Sequence, residues 1–333
     1  MTIRLVIGGQ FGSEGKGSVC QWLAQNEPPK VAIRTGGVNA GHTCVKDGET
    51  IKLQQFPVAA LFCPAVTVYF PSGAVLNPEV FFRERELVWE HGHRGMVWVH
   101  PQACVTQEED LKIEQSQLIT ASTFTGVGAT RAQRCLRRAT IANDDLGFES
   151  YLWDYAYKEI MWDTEVLIEA TQGWGLGVNT AFYPDTTSTP VNPWQICCDA
   201  DVKWCQPNIE VWCVIRTFPI RIAGNSGFLW KETTWSELRA RFGNHIPTEQ
   251  TTVTKKTRRV GEFDLFLVRK MLGEVWPSKL VLTFADYLVP DKDPTKLRQV
   301  MTDHEALIGY HIDYLGVGIG QLISKKELFH DFA

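Results

Sequence analysis

Ile3-Arg4-Leu5-Val6-Ile7-Gly8-Gly9-Gln10-Phe11-Gly12-Ser13-Glu14-Gly15-Lys16-Gly17 decides the fold. Its first five residues are apolar except for Arg4 and do not alternate, which marks a strand buried on both faces, as in a parallel sheet. The glycines that follow allow close approach of the backbone to an anion, and a helix starting near Lys16 aims its free N–H groups at the same point. Lys16 adds a mobile cation for the β- and γ-phosphates of a nucleotide. The spacing departs from the usual GxxxxGK[ST] loop: Gln10 stands at the first Gly position and Gly17 follows the Lys. A purely structural turn accounts for the glycines but not for a Lys set between two of them.

Working outward, five more apolar runs read as buried strands: Val66–Phe70, Met96–His100, Val166–Ala170, Ile209–Thr217 and Leu280–Phe284. Phe263–Leu272 reads as a helix stopped by Gly273. Strands alternating with helices predict an α/β fold, with a mostly parallel central sheet, flanking helices and a P-loop-like phosphate-binding loop after the first strand. No linker or repeat divides residues 1–333, so one elaborated domain is expected. In such sheets ligands bind beyond the carboxyl ends of the strands.

Composition narrows the partners. A net charge of -5 offers no strong basic field for nucleic acid. No apolar run reaches the roughly 18–20 residues that span a membrane. The start is interrupted too soon for a signal peptide. Nine cysteines, an odd number with no CxxC pair, suit free thiols in a reducing cytoplasm.

Five further segments carry candidate chemistry. Thr35–Thr43 is flexible and ends near His42, the side chain poised near neutral pH; the residue alone reads equally as a buried structural histidine. Ser122–Gly128 with Arg131, Arg134, Arg137 and Arg138 suits a monophosphate, or a solvated basic helix face. Thr171-Gln172-Gly173, followed by Asp185–Thr189, offers an amide to a base edge. Thr251–Gly261, with Lys255, Lys256, Arg258 and Arg259, could take a carboxylate or phosphate, or be a solvated charge run. Asp286, after the last apolar run, can accept from a base amine.

In this order the segments resemble the adenylosuccinate synthetase family along the whole chain. The specific motifs are residues 9–17 and Gly-Gly-Val-Asn-Ala-Gly-His-Thr at 36–43. Weaker matches are Gly126–Gly128 with Arg137-Arg138, Glu169–Gly173, Tyr183-Pro184 with Thr187-Ser188, Arg258–Gly261 with Asp264, and Asp286. The length resembles the compact archaeal or phage form. The resemblance implies a ligase with two steps: a nucleoside triphosphate phosphorylates the purine 6-oxygen, and aspartate then displaces that phosphate, with Mg²⁺ on the phosphates.

The resemblance also implies residue roles. Ser13, Lys16, His42 and Gln172 take catalytic positions. Gly12, Glu14, Gly15, Lys16, Gly17, Gly41, His42, Thr43, Asp286 and Gly318 bind the triphosphate. Ser13, Asn39, Ser122, Thr123, Gln172 and Thr187 bind the monophosphate and its purine, with Arg137 reaching in from the second subunit of a homodimer. Thr252, Val253, Thr254, Lys256 and Arg258 bind aspartate. Ser13 and Gly41 are the metal positions.

Three departures from the family sharpen the expectation. The family has Asp at Ser13, where it takes the N1 proton of inosinate and ligates Mg²⁺. Serine is a poor unaided base, leaving water or the substrate phosphate to accept the proton. Serine there resembles the phage branch that uses deoxyguanylate (dGMP). The guanine-reading Lys-x-Asp becomes Phe284-Ala285-Asp286, which favours ATP or dATP as donor. Lys256 replaces an Arg and cannot present a bidentate fork to a carboxylate. The expected substrates are therefore dGMP, L-aspartate and ATP, in the cytoplasm (the host's, if phage-encoded). Two alternatives stay open: a compact synthetase acting on inosinate with GTP or ATP, and an inactive nucleotide-binding regulatory protein.

Overall fold

The opening apolar run forms the centre of the molecule. In a computed structural model that describes residues 2–118, 120–152, 164–202, 208–251 and 255–329, β1 (Ile3–Gly8) leads through the glycine loop into α1 (Lys16–Asn26). Next come β2 (Val31–Arg34), the hairpin β3 (His42–Lys46) and β4 (Glu49–Leu53), β5 (Thr67–Phe70), β6 (Val75–Leu76), β7 (Val97–Val99) and β8 (Cys104–Val105). Then follow β9 (Val166–Gly173), β10 (Ile209–Arg216), β11 (Ile220–Arg221), β12 (Glu232–Thr233), β13 (Arg259–Gly261), β14 (Lys279–Thr283), β15 (Tyr314–Gly316) and β16 (Leu322–Ser324).

Nine strands make one sheet in the order β16-β15-β14-β10-β1-β9-β2-β5-β7. Every neighbouring pair is parallel except β15 with β16. β1 lies between β9 and β10, with Leu5 opposite Ile168 on one side and Val211 on the other. Ile3, Leu5 and Ile7 face one core, while Val6 faces a second core with Val19 and Leu23 of α1. Burial on both faces is why the strand sequence does not alternate, and each such side chain contributes roughly 1.5–3 kcal/mol.

All six expected strands are present, within a few residues of their expected ends. The helix expected to stop at Gly273 instead runs Leu265–Val275. Its start is capped by Asp264, which accepts from the Leu267 N–H at 3.0 Å, and the left-handed residue that ends it is Trp276. Gly273 has open space around it and no positive φ, so nothing there breaks the helix. The loops after β1, β2, β9, β10, β14 and β15 open at one edge of the sheet, the carboxyl edge. Among the described residues no helix is long and apolar enough to cross a membrane.

Candidate active site

These loops enclose a cavity of about 600 Å³. Its wall includes Gly12, Ser13, Gly15, Lys16 and Gly17 after β1; Asn39, Gly41, His42 and Thr43 after β2; and Gln172 at the end of β9. It also includes Thr123, Arg258, Asp286 and Gly318. Thus segments spread over 300 residues of sequence converge on one space.

The glycine loop is ordered from beneath by a buried carboxylate. Glu14 accepts from the N–H groups of Gln10 at 3.0 Å and Gly12 at 2.7 Å, and from Lys16 Nζ at 2.9 Å. Its side chain is fully buried and does not line the cavity. Glu14, expected against the triphosphate, therefore shapes the loop and holds Lys16 with its side chain. Gln10 explains the missing first glycine. Its amide pairs twice with the backbone of Arg216 at the end of β10, accepting from the N–H at 2.9 Å and donating to the carbonyl at 3.2 Å.

Gly15 precedes α1 with φ of 85°, the left-handed region, so the first N–H groups of α1 open toward the cavity. Gly17 is required for a different reason. A Cβ there would lie 2.7 Å from the carbonyl oxygen of Thr43 and 3.0 Å from Cβ of His42. Ser13 itself has φ of 59°, a conformation that costs a non-glycine residue on the order of 1 kcal/mol. Arg216 donates to its carbonyl at 2.9 Å.

His42 is buried at the start of β3. Its Nδ1 hydrogen-bonds the Glu169 carboxylate, which also pairs with Arg34 and accepts from the Val58 N–H at 2.8 Å. Arg34 also lies 2.8 Å from Nδ1. One nitrogen cannot donate to the carboxylate and accept from a guanidinium at once. The carboxylate, an acceptor only, fixes Nδ1 as the donor. The neutral ring then carries its lone pair on Nε2, which is buried with no hydrogen-bond partner in the protein. Burial and the Arg34 charge outweigh the pull of Glu169 and lower the His42 pKa to about 4. Burial works against the Glu169 carboxylate, yet His42 and Arg34 hold it well below its usual range.

Beyond the loop, the Phe284 ring, on a left-handed residue, takes the Arg216 guanidinium at 3.9 Å from its centroid. Asp286 has its pKa raised by burial. Gly318 is tied to α1 because its carbonyl accepts from the Ser18 hydroxyl at 3.2 Å.

Ser122, Arg137, Thr187 and Lys256 do not line this cavity. Arg137 and Lys256 are exposed, and Arg137 follows the helix Val127–Cys135 with φ of 61°. Thr252, Val253 and Thr254 lie outside the described residues. Sequence reasoning assigned no role to Glu169, Arg34, Arg216 or Glu249. For Glu169, Arg34 and Arg216 the signal was a charge within or ending an apolar run, as in Val166-Leu167-Ile168-Glu169-Ala170 and Val31-Ala32-Ile33-Arg34; Glu249, in a polar stretch, had none. It also missed Lys52, which lines the cavity opposite Thr43 in the hairpin.

No group of three or more His, Cys, Asp or Glu suited to a metal is present among the described residues. At the two positions expected to face the metal, the oxygens on offer are the Ser13 hydroxyl and the Gly41 carbonyl. Hard oxygens of this kind fit a Mg²⁺ held mainly by phosphates, with few protein ligands.

The model of the family described as Adenylosuccinate synthetase matches residues 5–161 and 148–296. Adenylosuccinate synthetase of Pyrococcus horikoshii is 29% identical over 98% of this chain and 96% of its own length. N6-succino-2-amino-2'-deoxyadenylate synthase of Vibrio phage phiVC8 is 30% identical over 86% of this chain and 87% of its own. Among solved structures, succinoaminodeoxyadenylate synthetase of cyanophage S-2L, bound to dGMP and to dATP as an energy donor, superposes with a TM-score of 0.85 at 23% identity, covering 100% and 99% of the two chains. Fully ligated adenylosuccinate synthetase of Plasmodium falciparum gives 0.82 at 16% identity, covering 98% and 100%. With the family match running almost throughout and the fold shared, the chain belongs to the adenylosuccinate synthetase family, carbon–nitrogen ligases that join aspartate to a purine nucleotide.

Proposed function

We propose that the enzyme joins L-aspartate to the purine 6-position of dGMP, consuming ATP or dATP and giving N6-succino-2-amino-2'-deoxyadenylate. The observation that carries this reading is Ser13 in the cavity wall, where the family has Asp. A hydroxyl is smaller than a carboxylate, uncharged, and able to accept from the 2-amino group that distinguishes guanine from hypoxanthine. The phiVC8 relative and the dGMP and dATP bound in the cyanophage structure support the reading.

In the first step the 6-oxygen attacks the γ-phosphorus. An O–P bond forms, the bond to the β-phosphate oxygen breaks, and ADP leaves. In the second step the aspartate amine attacks C6, the C6–O bond breaks, and phosphate leaves, taking up the proton that the amine gives up. The proton on N1 passes to water or to a substrate phosphate. Lys16 and the loop N–H groups from Ser13 to Gly17 hold the β- and γ-phosphates, beside Gly41, Thr43 and Gly318, while Gly12, whose N–H is taken by Glu14, bends the loop around them. The negative charge of the phosphates raises the proton affinity of His42 Nε2; once Nε2 has taken a proton from water or from a substrate phosphate, it donates to the transferred phosphoryl and stabilises the charge that develops there. Gln172 faces the purine 6-position.

Asn39 and Thr123, with Ser122, Thr187 and the Arg137 of a second subunit, hold the monophosphate. Asp286 accepts from the adenine amine, and Phe284 offers ring surface to the base. Lys256 and Arg258, with Thr252, Val253 and Thr254, take aspartate. Magnesium, when bound near Ser13 and Gly41, neutralises phosphate charge. The reaction belongs in the cytoplasm, where its nucleotides are.

The deciding assay supplies purified protein with aspartate, ATP and Mg²⁺ and compares dGMP with inosinate. Succino-nucleotide formation from dGMP is expected. Turnover of inosinate alone makes this a compact adenylosuccinate synthetase, and no phosphate release with any purine monophosphate makes it a regulatory protein.

A further inference from the structure

Arg216 ends β10 and is fully buried behind the cavity, and its guanidinium contacts three residues of the cavity wall: Ser13, Glu249 and Phe284. One nitrogen donates to the Ser13 carbonyl at 2.9 Å and reaches Glu249 at 3.2 Å. The other terminal nitrogen pairs with the second Glu249 oxygen, which also accepts from the Tyr287 hydroxyl at 3.1 Å. The guanidinium carbon lies over the Phe284 ring at 3.9 Å from its centroid. Tyr287 meets the same ring edge-on at 5.1 Å. The backbone of Arg216 is held at both its N–H and its carbonyl by Gln10. A single cation so pinned is in direct contact with the residue that faces the acceptor purine and with the aromatic that faces the donor base.

We propose that Arg216 is a positioning residue that couples the two nucleotide subsites: it fixes the left-handed conformation of Ser13 and the tilt of Phe284 together, so that filling one subsite sets the other. The proposal rests on the assignment of Ser13 to the monophosphate side and Phe284 to the triphosphate side. A lysine at 216 keeps the charge but has a single ammonium point. It cannot at once bridge the Ser13 carbonyl and Glu249 and lie flat on a ring. Neither Arg216 nor Phe284 needs to touch the monophosphate for this coupling to act.

The test measures the dissociation constant of the purine monophosphate by calorimetry in wild type, Phe284→Leu, Arg216→Lys and the double variant, each with the folded fraction checked by circular dichroism. Phe284→Leu should weaken monophosphate binding at least threefold although it lies on the donor side. The same change made in the Arg216→Lys background should add less than a further 1.5-fold. Monophosphate affinity within 1.5-fold of wild type in folded Phe284→Leu overturns the coupling, as does an equal effect of that change in both backgrounds. If Arg216→Lys does not fold, the Phe284→Leu arm decides alone. The experiment uses whichever monophosphate binds. Tight binding of inosinate and not dGMP therefore sinks the substrate assignment while leaving the coupling test intact.

Discussion

Arg34 and Glu169 are register partners across β2 and β9, and their ion pair is the support on which His42 rests. The Glu169 carboxylate pairs at once with Arg34, His42 Nδ1 and the Val58 N–H, all buried. Glu169→Gln leaves Arg34 as a buried cation without its counter-charge, which costs about 3–5 kcal/mol. It also removes the group that fixes the His42 tautomer. A lower thermal midpoint together with a lower kcat is expected. Unfolding scans and steady-state assays check both, and an unchanged midpoint would mean that the pair is not the support.

His42→Ala tests the ring itself. Removing a group that acts on developing phosphoryl charge costs about 10²–10³ in kcat or more. Calorimetric affinity for the purine monophosphate should stay within about threefold, because the ring does not hold the ground-state nucleotide. Equal loss of turnover and binding would assign His42 a structural role.

Acid should weaken the fold through the same ring. In the folded chain the His42 pKa is lowered to about 4, against an ordinary value of 6.5. Between these values the unfolded chain binds a proton that the folded chain does not. Stability therefore falls as pH drops from about 6.5 to about 4, by up to about 3 kcal/mol. Glu169, held below its usual range, acts in the same direction at lower pH. Urea titrations at pH 7.5, 5.5 and 4.5 read the slope, and His42→Gln should flatten it above pH 5.

Ser13→Asp exchanges the small hydroxyl for a charged carboxylate. It should raise KM for dGMP and lower kcat, by tenfold or more in kcat/KM (about 1.4 kcal/mol). It also gives the loop the base suited to inosinate. Identical dGMP kinetics in the variant would remove Ser13 as the selector.

Gly17→Ala puts a methyl group 2.7 Å from the Thr43 carbonyl. Overpacking of this kind costs about 1–3 kcal/mol. The variant should show a lower unfolding midpoint and a raised KM for the triphosphate, with the monophosphate KM nearly unchanged. Wild-type values for both stability and donor KM would show that the hairpin can shift aside.

The central sheet was legible because its strands are buried on both faces, which leaves uninterrupted apolar runs such as Val166–Ile168 and Leu280–Leu282. β2 was not, because its apolar part is only Val31-Ala32-Ile33 before the buried Arg34. The small antiparallel sheet of β11, β13 and β12 has two- and three-residue strands and left no periodic signal. At the site, the glycine loop and His42 declared themselves by residue type. Their supports did not: a Glu inside an apolar strand finds its meaning only once the neighbouring strand brings an Arg opposite it. The Arg216 contacts with Ser13 and Phe284 join positions more than 60 residues apart and have no local pattern at all.

Gly17 leaves the first turn of α1 and the start of β3 in backbone contact, with no side chain between them to act as a bearing. Lys16 and His42 stand on the two sides of that contact. The anion cradle and the histidine are thereby braced directly against each other, backbone to backbone. The part of the wall made by His245, Glu249 and Arg258 has no such brace from a helix or a strand, since all three stand on connecting segments.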